Sequence, residues 1–127
     1  MSYTFKDFHW SREININRYL MPETLAEALE LLAEHDGNAQ VIAGGTDVIP
    51  QLRHGSLRVE TLIDISRLPD ISTIRQDGEK IILGGLVTHS QVAHSSLIKE
   101  KAAALAEASA SVGSPQIRNI ATVAGNL

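Results

Sequence analysis

Short apolar runs alternate with helix-period segments along the first half of the chain. Residues 17–21, NRYLM, form an apolar-leaning run that ends at Pro22 and reads as a strand. Across 24–35, Leu25, Ala28, Leu29, Leu32 and Ala33 recur at helical spacing and predict one apolar face. Thr24 and Glu27 fit a capping box at its start, and Gly37 stands where a left-handed cap closes such a helix. AQVIA at 39–43 suits a buried strand, VIPQLRH at 48–54 a short helix capped by Thr46 or Asp47 and stopped by Gly55, and ETLIDI at 60–65 another strand. Strand–helix–strand–helix–strand is the grammar of a small α/β unit with parallel pairing.

The pattern changes after Pro69. STIRQDGEKIILGG, residues 72–85, is two short alternating runs around Asp77-Gly78, a strong hairpin signal. A short helix is expected over 88–98 and an alanine-rich one over 99–113, ending at Gly113, with an irregular segment from Pro115 onward. The fold class is therefore α+β. An N-terminal arm covers 1–16, an α/β subdomain 17–68, and the first part of a second, antiparallel subdomain with helices 69–127. Trp10, the single tryptophan, lies in the arm as a packing or interface anchor.

Composition narrows the function. At 127 residues about two-thirds of the unfolded surface can be buried, so one real core is affordable. Aromatics are only 4%, which leaves that core to Leu, Ile, Val and Ala. A net charge of −4 without any basic run argues against nucleic acid or an anionic membrane surface as partner. The absence of cysteine excludes disulfides, Cys-ligated zinc and iron–sulfur clusters within this chain, and leans toward the cytoplasm. No apolar run approaches the roughly 18 residues of a membrane span.

The chemistry concentrates in two glycine-containing bends. In VIAGGTDVIPQL a strand runs into Gly44-Gly45 and then a helix start. Glycine lets a ligand approach the main chain, and successive N–H groups at such a bend favour a phosphate or diphosphate. Thr46 adds a hydroxyl; Asp47, when ionised, repels an anion and is better used as a cap. A plain tight turn would employ the same two glycines, and both G-x-G-x-x-G and the P-loop pattern are missing. The second bend, IRNIATVAGNL at 117–127, again offers small residues, hydroxyls and an amide. His89 and His94 are five apart, a spacing that does not stack them on one helix face, so a metal pair is not expected. His9, His35 and His54 are assigned surface or capping roles, Arg118 a phosphate or a carboxylate. No nucleophile–base set stands out among the serines.

Taken together, VIAGGTDVIPQL and IRNIATVAGN resemble the FAD-binding subunit or domain of the molybdenum hydroxylases, the xanthine dehydrogenase, 4-hydroxybenzoyl-CoA reductase and carbon monoxide dehydrogenase family. YLMPETLAEALELLAEH and LIDISRLPDISTIRQDGEKIILGGLVTHSQV, with its G-[GA]-x-x-T-H segment, extend the likeness from about residue 17. The resemblance implies an incomplete FAD-binding fold of the PCMH type. It implies that Val41, Ile42, Ala43, Gly44, Gly45, Thr46, Asp47 and Val48 wrap the FAD diphosphate, and that Gly113, Ser114, Thr122, Gly125 and Asn126 complete the site. It implies partner subunits carrying 2Fe-2S clusters and a molybdopterin cofactor, with NAD or another compound as electron acceptor. Where the family has Gly-Gly-Asn this chain has Ala124-Gly125-Asn126, one methyl more. The family continues beyond the position of Leu127, so a truncated chain is expected. The alternatives are a fragment or assembly scaffold that binds no flavin, and another flavoprotein of related fold.

Overall fold

Three parallel strands organise the first half. The computed structural model describes residues 14–127; the expected arm and Trp10 fall almost wholly outside the described residues. Strands β1 (Arg18–Leu20), β2 (Ala39–Ile42) and β3 (Thr61–Asp64) form one sheet in the order β1-β3-β2, both pairings parallel. Leu20 stands opposite Ile63, and Ile42 opposite Asp64. The central strand β3 is buried at all four positions, as a strand covered on both faces must be. Helices α1 (Leu25–Glu34) and α2 (Val48–His54) make the connections that parallel strands require.

Thr24 caps α1 by accepting from the Glu27 amide at 3.1 Å, but the Glu27 carboxylate reaches back to the Glu23 amide at 2.9 Å, not to that of Thr24. The buried face of α1 also differs from the expected one. Ala28 is 3% exposed, whereas Leu25 and Leu29 are 59% and 57% exposed. The side chain of Ala28 is small, so the helix lies close to the sheet along Ala28 and the half-buried Leu31 and Leu32. Gly37 and Gly55 take φ of +73 and +71 beyond α1 and α2.

The second half is antiparallel and helical. Strands β4 (Ile74–Asp77) and β5 (Lys80–Leu83) pair as a hairpin with Asp77 opposite Lys80, so the two loop residues are Gly78 and Glu79. Three short helices follow, α3 (His89–His94), α4 (Ser96–Lys101) and α5 (Ala103–Ala110), in place of the two expected. Ser95 makes the first break: its extended backbone ends α3, and its hydroxyl accepts from the Ile98 amide at 3.3 Å to start α4. The second falls at Ala102 against high helix propensity; Ile98 and Ala106, on either side of it, enter one apolar cluster with Val87 and Val92. A further helix, α6 (Pro115–Ile120), replaces the expected irregular segment, with Ser114 as N-cap and Pro115 at the first position.

Two apolar clusters result. Ile42, Leu52 and Leu62 pack under the parallel sheet, and Val87, Val92, Ile98 and Ala106 pack beneath the hairpin and helices. Among the described residues no helix is long and apolar enough to cross a membrane.

Candidate functional site

A cleft of about 460 Å³ opens at the carboxyl ends of β2 and β3. Its volume lies within the roughly 300–1,000 Å³ range of small-molecule sites, and ligands of open parallel sheets bind at this end. One wall is Val41, Ala43, Gly44, Gly45, Thr46, Asp47 and Val48; the other includes Ala121, Thr122, Ala124, Gly125 and Asn126. A second cleft, about 610 Å³, lies at the amino ends of the same strands beside Asn38 and Glu60. It is larger, but has no such run of glycine and small polar residues.

The two glycine bends touch. A Cβ on Gly44 would stand 2.7 Å from the Ile120 carbonyl carbon and closer still to its oxygen, so no side chain fits there. Gly45 needs its identity for another reason: its φ is +71, and an added Cβ would press on Ile42 and Ile49. Among the described residues, the amides of Gly44, Gly45, Thr46 and Asp47 donate to no other group, and the Thr46 hydroxyl makes no hydrogen bond. Asp47 occupies the N-cap position of α2 without the expected side-chain bond. Its main-chain φ and ψ of −108 and −41 are helical rather than the extended values usual for a residue whose side chain caps a helix.

The second bend is held from the opposite side. The His89 amide donates to the Ala121 carbonyl at 3.1 Å and the Val123 amide to that of Val87 at 3.0 Å, an antiparallel bridge that sets Thr88 opposite Thr122. The Thr122 hydroxyl then accepts from the Gly125 amide at 3.0 Å and folds the AGN turn back on itself. Three of the expected site residues do not line the cleft. Ile42 is in the apolar cluster under the sheet, Gly113 forms a turn with φ +48, and the Ser114 hydroxyl caps α6 through the Ile117 amide at 3.2 Å. Arg118 pairs with no carboxylate among the described residues. Its guanidinium donates to the carbonyls of Val112 and Gly113 at 3.1 and 3.2 Å, where α5 has ended and main-chain acceptors lack helical partners.

Sequence and structural comparisons agree with this geometry. The model of the family described as "FAD binding domain in molybdopterin dehydrogenase" matches residues 12–127. The chain belongs to that family. It is 38% identical over 111 residues to the xanthine dehydrogenase FAD-binding subunit of Escherichia coli O157:H7, covering 86% of this chain and 37% of that subunit. It is 36% identical over 109 residues to subunit alpha of the 6-hydroxypseudooxynicotine dehydrogenase complex of Paenarthrobacter nicotinovorans, with the same coverage of each. A solved carbon monoxide dehydrogenase from Hydrogenophaga pseudoflava superposes with a TM-score of 0.84 at 30% identity, over 87% of this chain and 39% of that one. The chain thus spans under two-fifths of the length of these relatives.

The residues present fit the FAD of the family description. Four successive unpaired amides beside two residues without Cβ atoms suit a diphosphate, and the Thr46 hydroxyl and Asn126 side chain suit the remaining polar atoms. His89 lines the same cleft, is 3% exposed, and its buried ring has no hydrogen-bond partner at either nitrogen among the described residues. Spacing alone relates this histidine only to His94, as a metal pair that is not expected. The available signal was Thr88-His89-Ser90-Gln91: Thr88 and Gln91 form a full capping box, which fixes His89 as the first residue of α3. His94, by contrast, bonds the Ser90 carbonyl through Nδ1 at 2.8 Å.

Proposed function

We propose that this chain holds the diphosphate of FAD between its two glycine bends, as part of a subunit of a molybdenum-hydroxylase-type oxidoreductase. The observation that carries the reading is the contact of Gly44 with the Ile120 carbonyl, which brings the unpaired amides of Gly44–Asp47 and the Thr122–Asn126 turn to one cleft. Val41, Ala43, Gly44, Gly45, Thr46, Asp47 and Val48 form one side of the site, and Thr122, Gly125 and Asn126 the other. The main-chain amides bind the anionic oxygens and orient the dinucleotide. Asp47 lines the cleft but is exposed, which leaves its carboxylate open to solvent.

Bound FAD supplies two-electron redox chemistry, while the protein contributes position and electrostatics. The parent enzyme passes electrons from 2Fe-2S clusters on one partner subunit, fed by a molybdopterin cofactor on another, through FAD to NAD or a different acceptor. Family membership and the names of the relatives support this assignment. The lack of cysteine in all 127 residues means that these residues supply no thiolate ligand to such clusters.

Titration of the purified chain with FAD, followed by flavin fluorescence and visible absorption, tests the reading. Saturable quenching and a yellow protein after gel filtration are expected. A folded, colourless chain that leaves flavin emission unchanged overturns it.

A further inference from the structure

The geometry points to His89 as a direct ligand of the bound dinucleotide: we propose that its imidazole donates a ring N–H to the diphosphate held by the Gly44–Asp47 loop. This inference rests on the assignment of FAD to that cleft and adds a residue to it.

A buried polar side chain without partners is unusual, because it forfeits its hydrogen bonds to water and gains none. Among the described residues His89 does so at both ring nitrogens, while 97% of its surface is covered. A histidine kept merely to fill space would be better replaced by leucine. The residue nevertheless lines the cleft, and its main chain is held in place. It opens α3 behind a complete capping box, and its own amide is bonded to Ala121 on the second bend. His89 therefore belongs to the junction of both bends.

Its chemistry also complements what surrounds it. Among the described residues no lysine or arginine lines the cleft, and Asp47 and His89 are the lining residues that can carry charge. An anionic ligand there meets main-chain amides, the amide side chains of Gln40 and Asn126, and one imidazole, which carries a ring N–H in either neutral tautomer. A hydrogen bond to a charged oxygen is about twice as strong as a neutral one, which offsets the cost of leaving the ring unpaired in the free protein. Stability given up at His89 is recovered when the ligand binds.

That exchange gives the test. His89→Leu keeps the approximate volume and removes the unpaired nitrogens; His89→Asn keeps an N–H donor. In the 127-residue chain, His89→Leu is expected to unfold at the same temperature as wild type or higher, yet to bind both FAD and ADP about tenfold more weakly. His89→Asn is expected to recover part of that loss and decides the matter if the leucine variant does not fold. In wild type the imidazole ¹⁵N resonance of His89 is expected to shift on adding ADP. If wild type ignores FAD, the site assignment falls and this inference with it. If wild type binds FAD and a folded His89→Leu binds it equally well, this inference alone is overturned. A loss confined to FAD, with ADP affinity unchanged, also overturns it, because the contact would then be to the flavin half.

Discussion

Gly44 and Gly45 are adjacent yet irreplaceable for different reasons. Gly44 has no room for a side chain because the Ile120 main chain occupies the space, and a backbone group cannot swing aside as a rotamer can. Gly45 has a backbone conformation that costs an L-residue about 1–2 kcal/mol. Gly44→Ala is therefore expected to lower unfolding free energy by about 1–3 kcal/mol in urea denaturation even without flavin. An unchanged midpoint would show that the two bends do not touch. Glycine pairs are visible in any sequence, but their reasons are not. The carbonyl against Gly44 comes from a residue 76 positions later. Nor could spacing reveal that Arg118 would serve the carbonyls of Val112 and Gly113, since that depends on where α5 stops.

Strands were more legible than helix ends. β1, β2, β3 and the hairpin stand within a residue or two of where apolar runs and Asp77-Gly78 placed them, because a buried strand needs a continuous run and a tight hairpin needs glycine. The helices after residue 88 were less so. Their breaks at Ser95 and Ala102 answer to packing around Val92, Ile98 and Ala106, which is absent from local propensity. The start of α6 did have a signal, serine followed by proline just after Gly113. One tie between elements titrates. The Tyr19 hydroxyl on β1 donates to the Asp64 carboxylate at the end of β3, and the Ser66 amide donates to the same group at 2.8 Å. Burial pushes the Asp64 carboxyl up, but these two donors and the Arg67 charge outweigh it and hold the group below its ordinary value. Bonding to Asp64, then burial, push Tyr19 up from 10.0 to about 12. The lowered carboxyl contributes stability above the ordinary carboxylate range and loses it as pH falls through the folded value. The raised phenol contributes below pH 10 and loses it as pH rises toward 12. Tyr19→Phe is expected to cost about 1 kcal/mol at pH 7, discounted for the half-exposed phenol. The gap from wild type should close in acid; a gap that persists below the carboxyl range contradicts this account of the tie.

At the scale of the molecule, the parallel sheet and the hairpin-helix layer each keep their own apolar cluster, and the cleft lies where loops from the two halves meet. Each half lines part of the cleft: Gly44–Asp47 from the first, His89 and the Thr122 turn from the second. The sequence made both bends legible, together with the family they resemble, but His89 became visible only when burial and the missing partners could be seen together. The central claim is that the two bends act on one diphosphate. Titrating ¹⁵N-labelled protein with FAD while following backbone amide resonances tests it most directly. The amides of Gly44, Gly45, Thr46 and Asp47 are predicted to move with those of Gly125 and Asn126 along a single saturation curve. Shifts confined to one bend, or gathered at the far cleft beside Asn38 and Glu60, would contradict it.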